Sequence, residues 1–236
     1  MNRWANKAAM VIGAGSDVGQ AITVALLKNG IHVYYVVDTK RDRDKIKAEY
    51  EKMNKNILTS KLELIYNITD NIEETLKKDV NILINKIDTF CIHLSIYHKF
   101  MNEAIKSMRR RKVEGHIFNI NSVYGHFLPT PYSDTSDKKD TFLFNGIIVS
   151  QHASITLTHL IRRQVVDVEP PIRVTSISPG DLKTDIINEF NSSLNEFNLS
   201  LMPKDVADAI IYALKLKPRV QITELTIQST GIPPYS

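Results

Sequence analysis

Only one cysteine, Cys91, occurs in the 236 residues. No intrachain disulfide can form, and a reducing compartment, the cytoplasm, is expected. No apolar run approaches the roughly 18–20 residues of a membrane-spanning helix, so no membrane span is expected. The N-terminal MNRWANKAAMVIG lacks the long apolar core and small-residue cleavage site of a secretion signal. Repeats and low-complexity tracts are missing too. Neither charge sign dominates, because 30 Lys and Arg face 26 Asp and Glu, a formal net charge of +4. The basic residues form only two small knots, Lys40-Arg41-Asp42-Arg43 and Arg109-Arg110-Arg111-Lys112. A nucleic-acid footprint calls for a broader basic face. The second knot ends an expected helix, where cations complement the dipole, and no nucleic-acid partner is expected. Glycine is scarce, at 9 residues.

What is present is an alternation of short apolar strands with helical patterns. Strands are expected at Ala8–Ile12, Ile31–Val37, Leu62–Ile65, Val80–Ile84, His116–Ile120, Ile172–Ile177 and Val220–Ile227, the last alternating with period two. Helices are expected at Val18–Asn29, Asp42–Asn54, Ile92–Arg111, Phe142–Val168 and Lys204–Leu216, with Gly30 as a helix stop. Such alternation predicts an α/β protein, a doubly wound parallel sheet of about seven strands with helices on both faces. The unit Ala8–Val37 is the βαβ piece of a Rossmann fold, and residues 1–236 are expected to form one such domain.

The turn after the first strand reads Gly13-Ala14-Gly15-Ser16-Asp17-Val18-Gly19. Glycines let the backbone turn tightly and approach a pyrophosphate at a helix N-terminus. The second strand ends at Asp38, nineteen residues after Gly19. An acid there accepts from an adenosine ribose and repels a 2′-phosphate, which favours NAD(H) over NADP(H). Lys40 and Arg41 beside it blur that preference. The alternative is a strand–helix turn that binds nothing.

Several stretches, in order along nearly the whole chain, resemble the short-chain dehydrogenase/reductase family, and its insect farnesol dehydrogenase-like branch in particular. They are Arg3-Trp4, AIKSM at 104–108, GHIFNINSVYGH at 115–126, SQHASITLTHLIR at 150–162, RVTSISPGDLKTDI at 173–186, PKDVADAIIYAL from 203, and PRVQITELTI ending at 227. The resemblance implies hydride transfer between a nicotinamide and an alcohol or carbonyl, here a small lipophilic one. It also implies an Asn–Ser–Tyr–Lys catalytic set. In that set Tyr moves the proton, Lys lowers the Tyr pKa and holds the ribose, Ser steadies the substrate oxygen, and Asn supports a relay water.

Carried over position by position, the set is mostly gone. Ser122 matches the serine, His93 falls in the Asn slot, Ile147 in the Tyr slot and Gln151 in the Lys slot. None of the nine tyrosines has Lys four residues on, so no shift of register restores the motif. A positioned general acid contributes about 10²–10⁴-fold, and the inherited reaction is therefore expected to be slow or absent. Substitutes come from Tyr124, from the long segment 128–144 with Tyr132, Lys138 and Lys139, or from His93. The alternatives are an exposed polar insertion and a hydrogen-bonded, partly buried histidine. His93, His98 and His152 have no metal-ligand spacing, and no metal is expected.

The cofactor positions drift as well. Gly13, Gly15, Ser16 and Gly19 keep the turn, while Asp17 stands where the family has glycine and is expected to repel phosphates. Asn85 alone remains of the usual Asn-Asn-Ala-Gly, and Asn67 replaces an aspartate at the adenine. Pro179, Gly180 and Thr184, which the resemblance places around the nicotinamide, are kept. The resemblance also implies pairing through the two long helices, as a homo-oligomer or with a related dehydrogenase.

Overall fold

The computed structural model describes residues 2–37, 40–54, 60–66, 75, 77–86, 92–127, 138–183 and 200–230. Within these, the side chains of 2, 40, 42, 53–54, 66, 86, 92–93 and 138–144 lie outside the description. The elements are β1 (Ala8–Ile12), α1 (Asp17–Lys28), β2 (His32–Val37), α2 (Lys40–Asn54), β3 (Leu62–Tyr66), β4 (Ile82–Lys86), α3 (Ile92–Arg111), β5 (Gly115–Ile120), α4 (Lys138–Gln164), β6 (Ile172–Pro179), α5 (Pro203–Lys215) and β7 (Glu224–Ile227). All strand pairings are parallel, in the order β3-β2-β1-β4-β5-β6-β7. The order reverses between β1 and β4, and ligands of open α/β sheets bind outside the carboxyl ends of the strands there.

β1 shows how the sequence builds both layers. Successive side chains point to opposite faces of a strand. Ala9 and Val11 join the core under α1 and α5, with Ile22, Leu26, Ile210 and Leu214. Met10 and Ile12 join the core under α3 and α4, with Met101, Met108, Ile161 and Val174. Both faces are covered, so β5 and β6 are buried along their whole length and show no polar alternation. Among the described residues no helix is long and apolar enough to cross a membrane.

Two helices end in the same hydrogen-bond motif with different residues at the left-handed position. After α1, Gly30 has φ 75°; its amide donates to Leu27 O at 3.0 Å and that of Ile31 to Leu26 O at 3.2 Å. After α3, Lys112 has φ 51°; its amide donates to Arg109 O and that of Val113 to Met108 O, both at 3.1 Å. Both are Schellman ends, which satisfy carbonyls that the helix leaves open.

The last strand is shorter than its sequence pattern. The expectation of Val220–Ile227 is corrected to Glu224–Ile227, because side chains replace the ladder over the first half. The amide of Val174 donates to the Gln221 side chain at 2.8 Å, and the Thr175 hydroxyl donates to Ile222 O at 2.7 Å. Backbone pairing resumes where Ser176 N reaches Thr223 O at 3.0 Å.

The C-terminal end of α5 is capped from far away. Arg3 donates to Leu214 O at 3.1 Å and Leu216 O at 2.5 Å, Trp4 Nε1 to Leu214 O at 2.8 Å, and Arg173 to Ala213 O at 3.1 Å. Cations at this end also complement the helix dipole. Burial, with Arg3 as a like charge nearby, lowers the Arg173 guanidinium to about 10. His116 is fully buried and its Nε2 lies 2.8 Å from Thr175 Oγ1. The Thr175 proton is already given to Ile222 O, so His116 Nε2 carries the hydrogen and donates. Burial, then the charges of Arg173 and Arg3, hold this imidazole well below its usual value, so it is neutral.

Candidate active site

The first wall of the crevice is the glycine turn between β1 and α1. Gly13 has φ 71°, which L side chains rarely adopt. At Gly19 a Cβ would lie 2.5 Å from the Ala14 Cα and 2.7 Å from its carbonyl oxygen, so only glycine lets α1 pack this closely. Ser16 caps α1: its hydroxyl accepts from Gly19 N at 3.2 Å and donates to Gly13 O at 3.1 Å. Tyr35, from β2, donates its hydroxyl to Ala14 O at 2.5 Å. Gln20 Nε2 donates to Gly15 O at 3.2 Å. Asp17 is the first residue of α1.

The second wall is the turn after β5. Ser122 opens a 3-10 turn, Val123–Gly125, and its Oγ accepts from Tyr124 N at 3.3 Å. Beneath it runs a buried polar ladder joining three strands to α4. Asn85 Nδ2 donates to Asn119 Oδ1 at 2.9 Å, and Asn119 Nδ2 to Thr158 Oγ1 at 2.7 Å. Thr158 Oγ1 donates to Ser154 O at 2.9 Å, Ser154 Oγ to Asn121 Oδ1, and Asn121 Nδ2 to Ser176 Oγ at 2.8 Å. Asn85 and Asn119 also sit side by side in the β4–β5 register. Asn85, the one match to its family motif, is thus a strand-to-strand brace.

Helix α4 lies against this turn. A Cβ on Gly125 would meet Ile155 Cδ1 at 2.5 Å and Gln151 O at 3.0 Å. Ile147, Gln151 and Ile155 follow at four-residue steps, so they share one face of the helix. Gln151 is buried and Ile147 partly buried. The structure therefore brings Ser122, Gln151 and Ile147 to one corner. From Asn145 to Thr158 the helix has no Lys, Arg or Tyr, and its one titratable side chain, His152, bonds back to Ile148 O at 3.1 Å.

At the end of β6, Gly180 N donates to Ile227 O at 2.8 Å, which fixes the Pro179-Gly180 turn beside the Ser122 turn. Tyr124 rides on the same 3-10 turn as Ser122. His93 belongs to α3 by its backbone, but its side chain lies outside the described residues. Asp38, Asn67, Tyr132 and Thr184 also lie outside them. Among the described residues no cluster of three or more His, Cys, Asp and Glu is placed to hold a metal ion.

One residue of this corner escapes a reading by motif. His126 follows the 3-10 turn, and its Nε2 lies 3.1 Å from Ser178 Oγ, just before Pro179. With Asn121–Ser176 it makes a second tie between the Ser122 turn and β6. The sequence signal was only the GHIFNINSVYGH stretch itself, because the partner is 52 residues away. Tyr35 is a similar case, with its acceptor 21 residues upstream.

No protein-family model matches the chain. Among curated proteins it is 31% identical over 259 residues to a farnesol dehydrogenase of Aedes aegypti, covering 98% of this chain and 99% of that protein. It is 27% identical over 266 residues to dehydrogenase/reductase SDR family member 11 of Bos taurus, covering 98% of both. Among solved structures it resembles a β-ketoacyl-[ACP] reductase from Bacteroides thetaiotaomicron, with TM-score 0.72, 21% identity, and 95% and 97% of the two chains covered. It also resembles an alcohol dehydrogenase from Thermococcus sibiricus complexed with 5-hydroxy-NADP, with TM-score 0.70, 19% identity, and 97% and 98% covered. Sheet order, glycine turn, the Ser122 turn and end-to-end similarity to the mosquito protein agree: the chain belongs to the short-chain dehydrogenase/reductase family of oxidoreductases.

Proposed function

We propose that this chain is a catalytically impaired member of its family, derived from an NAD(P)-dependent oxidoreductase acting on a small lipophilic alcohol or carbonyl. The observation that carries the reading is the corner where Gln151 and Ile147 face the Ser122 turn. Hydride transfer to a carbonyl leaves negative charge on its oxygen, and that charge needs a proton or a cation at hand. Ile147 has no proton to give, Gln151 has no charge, and Ser122 offers one hydroxyl. The mosquito relative is named for farnesol, which supports a terpenoid-like substrate class.

A nicotinamide dinucleotide, when bound, supplies or accepts the hydride. The turn's backbone fits such a group: Gly13 and Gly19 leave room for close approach and Ser16 holds the helix start. Gln151 remains able to donate from its amide to a ribose hydroxyl. Asp38 favours NAD(H). The residue that does not fit is Asp17.

The test restores what is missing. Ile147→Tyr with Gln151→Lys, with or without His93→Asn, is expected to raise reduction of farnesal by NADH or NADPH by about 10²-fold or more. Steady farnesol or farnesal turnover by the unaltered chain, at the rate of the restored one, overturns impairment.

A second reading is an active enzyme with relocated groups, favoured by Tyr124 on the same turn as Ser122. Replacing Tyr124, Tyr132 and His93 singly must then abolish measured turnover. A partner role is also supported by α4, where Val149 and Leu160 are 60% and 51% exposed. Sedentation of a lone monomer at micromolar concentration, with no related dehydrogenase captured, counts against it.

A further inference from the structure

We propose that Asp17 is the resident anion of the glycine turn, so that the crevice takes an uncharged adenosine-type ligand in preference to one carrying a diphosphate. This rests on reading the chain as a dinucleotide-fold protein with an altered site, but not on the fate of its catalytic corner.

The turn holds its shape with the chain's own bonds. Ser16 ties Gly13 O to Gly19 N, Tyr35 holds Ala14 O, and Gln20 reaches back to Gly15 O. A helix start with open amides is a ready site for an anion, through its donors and its dipole together. Here both demands are met internally. The Ser16 hydroxyl takes the Gly19 amide, and Asp17 places a carboxylate in the first turn of α1. That carboxylate is covalently attached, so no ligand in solution competes with it on equal terms.

A diphosphate arriving at the same helix end would meet this charge within a few ångströms. No lysine or arginine lies between Gly13 and Gln20 to offset it. At roughly 4–6 Å and an effective dielectric between water and protein, each like-charge pair weakens binding by about 10- to 100-fold. A nucleoside without phosphates escapes this penalty entirely and can still use the crevice at the carboxyl ends of the strands.

Calorimetric titration of the full chain with adenosine and with ADP-ribose separates the two ligand classes. The unaltered protein is expected to bind adenosine at least as tightly as ADP-ribose. Asp17→Asn and Asp17→Gly are expected to tighten ADP-ribose by about 10- to 100-fold and leave adenosine within about twofold. The melting temperature of Asp17→Gly should fall by about 2–5 °C, because α1 loses its first-turn acid and gains a glycine. Asp17→Asn should fall less, and it keeps the affinity test independent of helix damage. A tenfold or greater preference of the unaltered protein for ADP-ribose overturns the proposal. Unchanged ADP-ribose affinity in both folded variants does the same, as does failure of every form to bind either ligand. None of these readouts involves turnover, so this proposal and the proposed impairment fail separately.

Discussion

The floor of the candidate site and its α4 wall have followed different rules. The floor is a filled ladder, Asn85–Asn119–Thr158–Ser154–Asn121–Ser176, with each link satisfied by a side chain on a neighbouring strand or helix. The wall, a few ångströms above it, presents an isoleucine and a glutamine where a proton donor and a cation would serve chemistry. Removing a ladder member strands a buried polar group, which costs about 1–3 kcal/mol in a protein that is only marginally stable. Exchanging a tyrosine for isoleucine on a half-buried helix face carries no such penalty. Stability therefore preserves the floor whether or not the site works, and only turnover preserves the wall.

The largest effect that sharpens this contrast is on the wall. Restoring Tyr at 147 and Lys at 151 should change farnesal reduction by about 10²-fold or more while shifting the melting temperature little. A restored pair that leaves rate unchanged although ADP-ribose binds would break the contrast. The floor should respond in the opposite sense. Asn119→Ala is expected to cost about 2–4 kcal/mol by urea unfolding, since it leaves Asn85 and Thr158 without their partner. A loss no larger than that of Ile147→Ala would mean the ladder is ornamental.

His116 provides a smaller, pH-dependent effect on the same strand. Its folded pKa lies well below 6.5, through burial first and then Arg173 and Arg3. Above pH 6.5 folded and unfolded chains both carry it neutral. As pH falls below 6.5 the unfolded chain gains a proton that the folded one resists, so stability drops down to the depressed folded value. Urea unfolding from pH 7.5 to 5 should show this slope, and His116→Gln should flatten it. The smallest effect is at the two Schellman ends. Lys112→Gly relieves a left-handed lysine and should stabilise by about 0.5 kcal/mol, whereas Gly30→Ala should cost about 1 kcal/mol. Equal responses at both positions would show that their backbones differ in more than sequence.

Much of the fold was legible because it depends on local patterns. The span Ile92–Arg111 and the stop at Gly30 follow from periodicity and turn chemistry alone. The start of β7 did not, because Gln221 uses its side chain where a carbonyl would continue the ladder, and alternation cannot reveal that. The candidate site was legible only where family positions could be matched one by one, as at Ser122, Ile147 and Gln151. His126 and Tyr35 were not, since each acts through a partner on another element. Arg3-Trp4 stood out in the sequence, but its job did not, because the acceptor at Leu214 is 210 residues away.

That distance has a temporal meaning. On a ribosome Trp4 emerges long before Leu214, so its indole waits without this acceptor until almost the whole chain has been made. The clasp of Arg3, Trp4 and Arg173 around the last helix closes late, after the intervening strands exist. Because Trp4 is the sole tryptophan, its fluorescence is a built-in reporter of the moment at which the two ends of the chain meet.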